Sequence, residues 1–204
     1  SASAETPIKI PIELPGDIPI IKLPTPDAEV AFEDPNLSDL IRLMMGKQAG
    51  DKILQADVAA YCNSIKYVNP NSLLSLNRSK DQPIVKSLKG MEAFAPCHYS
   101  YVYFGNHQIA DLSPLAGWTS IVELGLGNNK IADLSPLSGM TELKKLDVAN
   151  NQISDLKALS GLSKLVELTA GNNAISDLSP LASVKSLVVA SLPNNRISDV
   201  APLA

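Results

Sequence analysis

From Tyr99 onward the chain restates one pattern every 22 residues. Its fullest form runs Leu143-x-x-Leu146-x-Val148-x-x-Asn151-x-Ile153-x-x-Leu156-x-x-Leu159-x-x-Leu162, and the same slots restart at Tyr99, Ile121, Leu165 and Leu187. Isoleucine fills one slot in every copy, at Ile109, Ile131, Ile153, Ile175 and Ile197. Aspartate fills another, at Asp111, Asp133, Asp155, Asp177 and Asp199. So short a period admits few folds. One copy cannot bury its apolar side alone, so the copies must stack and cover one another.

The frame L-x-x-L-x-L-x-x-N-x-I is identified as that of a leucine-rich repeat. The expected fold is an α/β solenoid: a right-handed array with a parallel concave sheet, short 3₁₀ turns on the convex side and a helical cap at the amino-terminal end. Leu146 and Val148 lie two apart and face inward, which leaves Lys145, Asp147 and Ala149 facing out on the concave side. Strands are expected to centre near Val102, Leu124, Leu146, Leu168 and Ala190. At about 1.5–3 kcal/mol for each fully buried large side chain, the inward slots supply most of the stabilisation.

Asn129, Asn151, Asn173 and Asn195 sit where the chain leaves each strand. A carboxamide both donates and accepts, so it can satisfy backbone groups that the turn would leave unpaired between repeats. These asparagines read as structural. His107 takes the same slot in the first full repeat, where a ring nitrogen can substitute for the amide. Asp-Leu-Ser-Pro-Leu follows at residues 111–115, 133–137 and 177–181. A serine hydroxyl as cap and a first-position proline start a short helix. Lys157-Ala158 replaces Ser-Pro in the third repeat, which should be less firmly capped.

The rest of the chain divides into three stretches. Residues 1–33 form a proline-rich extended segment or linker: Pro7, Pro11, Pro15 and Pro19 recur every fourth residue, excluding a helix. Residues 34–70 read as the helical cap. Asp34-Pro35 starts a helix whose inward face is Leu37, Leu40, Ile41 and Met44, and a second helix covers 53–63 with Val58, Ala59 and Cys62 inward. Residues 71–98 are degenerate repeats, with a strand suggested by Leu73, Leu74 and Leu76 and insertions expected near 77–83 and 95–98. The repeats proper occupy 99–204 and stop mid-repeat at Leu203-Ala204, which reads as a truncated carboxy-terminal end. The opening Ser-Ala-Ser-Ala-Glu lacks a methionine, as a mature secreted chain or a recombinant fragment would.

Asp34-Pro35-Asn36-Leu37, the two-helix cap, Leu88-Lys89-Gly90-Met91-Glu92-Ala93-Phe94 and the recurrent Asn-Asn-x-Ile-Ser-Asp-Leu-Ser-Pro-Leu together resemble the internalin family over residues 34–204. The resemblance implies a bacterial surface or secreted protein, extracellular in location, that binds a host or surface protein through its concave face in adhesion or recognition. The alternatives are a cytosolic regulatory scaffold binding an enzyme partner and a structural array on an envelope. On the concave face, Tyr101, Tyr103, Glu123, Lys145, Asp147, Glu167 and Thr169 are the side chains able to grip a protein partner. Gly125, Gly127, Ala149, Gly171, Ser191 and Pro193 leave the remainder plain.

Other chemistries find little support. A net charge of −4 gives no basic footprint for nucleic acid, and no apolar run reaches the length of a membrane span. No phosphate loop, zinc-ligand spacing or nucleophile motif occurs. Cys97-His98 is adjacent in sequence, but neighbours on a strand face opposite ways, and catalytic pairs usually meet through the fold. The chain reads as a binding module rather than an enzyme, with no cofactor and no metal. Cys62 and Cys97 are its only cysteines, one near the end of the second cap helix and one just before the first full repeat. They are expected to form a disulfide; the alternative is two separate buried thiols.

Overall fold

The computed structural model describes residues 27–68 and 72–204. Most of the proline-rich stretch, residues 1–26, lies outside them. Two helices, α1 (Pro35–Met44) and α2 (Gln55–Val68), precede six strands: β1 (Leu73–Ser75), β2 (Tyr101–Tyr103), β3 (Glu123–Gly125), β4 (Lys145–Asp147), β5 (Glu167–Thr169) and β6 (Val189–Ser191). All pair in parallel and in sequence order, forming one open sheet. Five strands centre on the residues named by the 22-residue period. Each short strand is followed on the convex side by a 3₁₀ turn, such as Ser113–Leu115 or Ser135–Leu137. The chain is a leucine-rich repeat solenoid with a helical region at its amino-terminal end.

The interior is a stack of like residues. Leu124, Leu146 and Leu168 lie beside one another in register, and all are buried. Ile109, Ile131, Ile153 and Ile175 are fully buried in the slot beyond the turn. The asparagine slot joins neighbours by an unvarying device. Asn129 Oδ1 accepts from the Ile109 amide at 3.0 Å, while Nδ2 donates to the Phe104 carbonyl at 2.8 Å and to Leu126 of its own repeat at 3.0 Å. Asn151, Asn173 and Asn195 repeat the set. Asn151→Ala would leave the Ile131 amide without a partner and take one of two donors from the Leu126 carbonyl, which keeps Asn129 Nδ2. Denaturant titration should show a loss of about 1–3 kcal/mol, the cost of one orphaned buried donor.

His107 reproduces this device with a ring. Nδ1 accepts from the Val85 amide at 3.1 Å and Nε2 lies 2.7 Å from the Leu76 carbonyl, so the neutral tautomer with hydrogen on Nε2 satisfies both. Burial holds its pKa below the ordinary histidine value. The unfolded imidazole takes up a proton near pH 6.5 while the folded one resists. Unfolding therefore binds protons as pH falls below about 6.5, and the stability present above that pH is lost through the folded pKa. His107→Asn keeps the device and removes the titration. Urea midpoints at about pH 7.5 and pH 5 should differ less for the variant than for the parent chain.

The convex turns correct one expectation. The serine hydroxyl is not the cap. Asp111 Oδ1 accepts from the Ser113 amide at 2.8 Å, and Ser113 Oγ donates to Asp111 Oδ2 at 2.9 Å. Asp133 and Asp177 act in the same way, and these bonds hold both carboxyls below the usual carboxylate range. At Lys157 only the amide bond to Asp155 survives, so this turn keeps half of the arrangement. The strand exit holds a second feature, unmarked in the sequence reading. Asn106, Asn128, Asn150, Asn172 and Asn194 all have positive φ, between 54° and 65°. Asparagine is among the few non-glycine residues that adopt this left-handed conformation readily.

At the amino-terminal end, α1 buries Leu37, Ser38 and Ile41, with Leu40 and Met44 half-buried. The second helix runs beyond the expected 63 to Val68. Its inward residues are Val58 and Cys62, with Tyr61 and Ile65 half-buried; Ala59, expected inward, is exposed. The spacing explains this, since 58, 61, 62 and 65 form one helical stripe and 59 lies about 100° around from 58. Strand β1 begins a stretched repeat, because Leu74 pairs with Val102, 28 positions on. The extra length falls in two places. Seven steps separate Arg78 from Val85 where three separate Asn106 from Ile109, as the matching amide bonds to the next repeat show. The rest is taken up by the seven-residue 3₁₀ turn Met91–Cys97, against which α2 packs.

Several side-chain links join cap and solenoid, among them the bonds from Asn36 Nδ2 to the Ile84 carbonyl (2.8 Å) and from Ser87 Oγ to Glu33 Oε2 (2.7 Å). Asp34 caps α1 through the amides of Asn36 (2.9 Å) and Leu37 (3.4 Å) and also accepts from Lys86 (2.6 Å) and Ser87 (3.3 Å) in the stretched repeat. From the other helix, Cys62 meets Cys97 with α-carbons 4.3 Å apart, and the pair is joined as a disulfide.

Candidate protein-binding face

Strand register sorts the outward residues into rows across the concave face. One row runs Leu73, Tyr101, Glu123, Lys145, Glu167 and Val189. The next runs Ser75, Tyr103, Gly125, Asp147, Thr169 and Ser191. Alternation along each strand turns the middle residue inward and its neighbours outward, which is why both rows stand on the concave side. In the first row Lys145 lies between two glutamates and pairs with Glu167 at 3.3 Å. About half of each side chain is exposed, so the pair contributes little to stability. It chiefly fixes where the charges stand.

In the second row, the absence of a side chain at Gly125 matters. A β-carbon there would lie 2.5 Å from Tyr103 Cδ1, so the tyrosine ring lies down over the glycine. Its hydroxyl donates to Glu123 Oε1 at 2.6 Å. Burial, and then the neighbouring Glu123 carboxylate, push the Tyr103 pKa up to about 12. Asp147 leans the opposite way. Its Oδ1 accepts from the Ala149 amide at 2.9 Å, and Oδ2 stands 3.3 Å from where a β-carbon on Gly127 would be. Tyr103, Glu123, Lys145, Asp147, Glu167 and Thr169 thus surround one depression of about 260 Å³, with Gly125 and Gly127 in its lining. Tyr101 does not line it; it stands in register beside Glu123, half-buried.

The sequence reading missed two apolar residues on this face. Leu73 is 57% exposed beside Tyr101, and Val189 is 48% exposed at the far end of the same row. The signal was present for Leu73: with Leu74 and Leu76 inward, alternation places Leu73 outward. Asn77, also missed, lies across Gly105 and accepts from its amide at 2.6 Å. Among the described residues there is no group of three potential metal ligands, and no helix is long and apolar enough to cross a membrane.

Fold and repeat define the class, and comparison with known proteins narrows it. A family model described as Leucine Rich repeats (2 copies) matches residues 141–183. No curated protein matches the chain. Among solved structures, an internalin (inlF) from Listeria monocytogenes is 28% identical, with 90% of this chain and 50% of that one covered and a TM-score of 0.73. Internalin C2 from the same organism is 32% identical, covering 90% and 94%, at a TM-score of 0.42. A leucine-rich repeat protein of Leptospira interrogans is 25% identical, covering 66% and 34%, at 0.53. The chain spans half the length of the first of these. It is an internalin-like leucine-rich repeat protein, a fold that serves as a protein–protein interaction module.

Proposed function

We propose that this chain recognises a protein partner on its concave face, as a secreted or surface module of a bacterium, and acts by binding rather than by catalysis. The contact residues are Tyr101, Tyr103, Glu123, Lys145, Asp147, Glu167 and Thr169. The observation that carries the reading is the pairing of two half-buried tyrosines, with Leu73 beside them, against a charged depression. Aromatic anchors bounded by polar groups are where interface energy concentrates. No cofactor, metal or nucleic acid enters this reading. An oxidising compartment fits a chain whose two cysteines are joined, and such bonds are rare in the cytosol.

A photo-crosslinking residue placed at 101 or 103 should capture the partner, while one at convex position 157 should not. With the captured partner in hand, the double variant Tyr101→Ala/Tyr103→Ala should bind at least about 30-fold more weakly, as loss of a hot-spot pair implies. Capture from the convex position alone, or unchanged affinity of the double variant, would overturn the concave-face reading.

A further inference from the structure

We infer that the depression over β3 is a receptor for an arginine side chain of the protein partner. The inference rests on the concave-face reading and adds the chemistry of the contact. The repeat that contains β3 is bare on this face, with Gly125 and Gly127 at two successive outward positions. Both neighbours lean over it: the Tyr103 ring covers Gly125 from β2, and the Asp147 carboxylate overhangs Gly127 from β4. Glu123 stands on the same strand, with Oε1 held by the Tyr103 hydroxyl. Floor, aromatic wall and carboxylates therefore converge on one small space.

Its charge is one-sided. Three carboxylates line it, those of Glu123, Asp147 and Glu167, against a single cation, Lys145, which is engaged by Glu167. Each carboxylate already uses one oxygen: Glu123 for Tyr103, Asp147 for the Ala149 amide, Glu167 for Lys145. Among the described residues the second oxygen of each has no protein hydrogen bond, so each is available to a donor that arrives from outside. A guanidinium supplies several in a planar fork. Its face can lie on a tyrosine ring while its edge reaches two carboxylates, which an ammonium cannot match.

The test titrates Nα-acetyl-arginine amide into the isotopically labelled chain and follows backbone amide signals. Shifts should centre on Gly125, Gly127 and Asp147 and saturate with a Kd on the order of 10 mM, as suits one side chain. The lysine counterpart should bind at least about threefold more weakly, and citrulline, isosteric but uncharged, should produce none of these shifts. Asp147→Asn keeps an oxygen for the Ala149 amide, so its melting temperature should hold while arginine binding falls about tenfold. Equal shifts from citrulline, absence of shifts up to about 100 mM arginine, or unchanged binding by Asp147→Asn would each overturn the inference. None of these results bears on the tyrosine test, so docking at the concave face and capture of an arginine there can fail separately.

Discussion

Replacing Cys62 and Cys97 together with alanine is expected to lower the unfolding free energy by about 3–4 kcal/mol, the chain-entropy value for a loop of this length. The two residues are 35 apart in sequence, and both are buried between α2 and the Met91–Cys97 turn. Guanidinium titrations of the parent chain with and without reductant should show the same displacement, which separates the covalent link from the small packing loss of the alanines. Mass measurement after alkylation without reductant should find no modified thiol. Two alkylated cysteines, or a midpoint indifferent to reductant, would show that the link plays no part in stability. Tyr61 stacks edge-on against Phe94 with ring centroids 6.5 Å apart in the same seam, so the cap should loosen there first once the bond is cut.

Asp34→Ala should cost about as much, roughly 3–4 kcal/mol, through a different mechanism. An ordinary helix cap contributes about 1–2 kcal/mol. Here the same carboxylate, 7% exposed, also holds the amides of Lys86 and Ser87, and a buried donor left unpaired costs about 1–3 kcal/mol. Asp34→Asn retains an acceptor oxygen but turns an NH₂ group toward two of the four donors, and should lose about half as much. Hydrogen exchange distinguishes the two roles. A cap alone would expose the amides of α1, whereas the joint role exposes Lys86 and Ser87 as well.

The cap residue shows where sequence reading succeeds and where it stops. Asp34 ahead of Pro35 is a local signal and could be read directly as a helix start. Its second pair of amides lies 52 and 53 residues away and follows only from how the cap is seated. The solenoid was legible because its rules are periodic: once Leu146 and Val148 face inward, every copy inherits the assignment. His107 was legible for the same reason, since a slot defines a role whichever residue fills it. The convex cap was misread because Asp and Ser are both good cap formers and only geometry shows which accepts. On the concave face, the outward list followed from alternation. That Gly125 and Gly127 would turn bareness into a depression did not, because it depends on neighbours in other repeats leaning over them. Leu73 is harder to read because residues 71–98 depart from the 22-residue register, although the strand there keeps strict alternation.

The asparagine device has a further consequence. Each Asn serves the turn of the repeat before it, and each strand's amides reach the carbonyls of the repeat after it, as from Leu126 to Asp147 and from Val148 to Thr169. Every boundary from the β2 repeat onward is therefore chemically the same joint. Removing residues 154–175, one full period cut between identical slots, would bring Ile153 next to Ser176 and restore Ile-Ser-Asp-Leu without altering any residue type at the seam. Nearest-neighbour stability then implies a shorter chain that still unfolds cooperatively, its loss confined to one unit and one joint. The depression over β3 would remain, but the second glutamate of its rim would be exchanged for Val189. Length in this molecule is thus a separate variable from foldability, and the composition of the face can be edited in units of 22 residues.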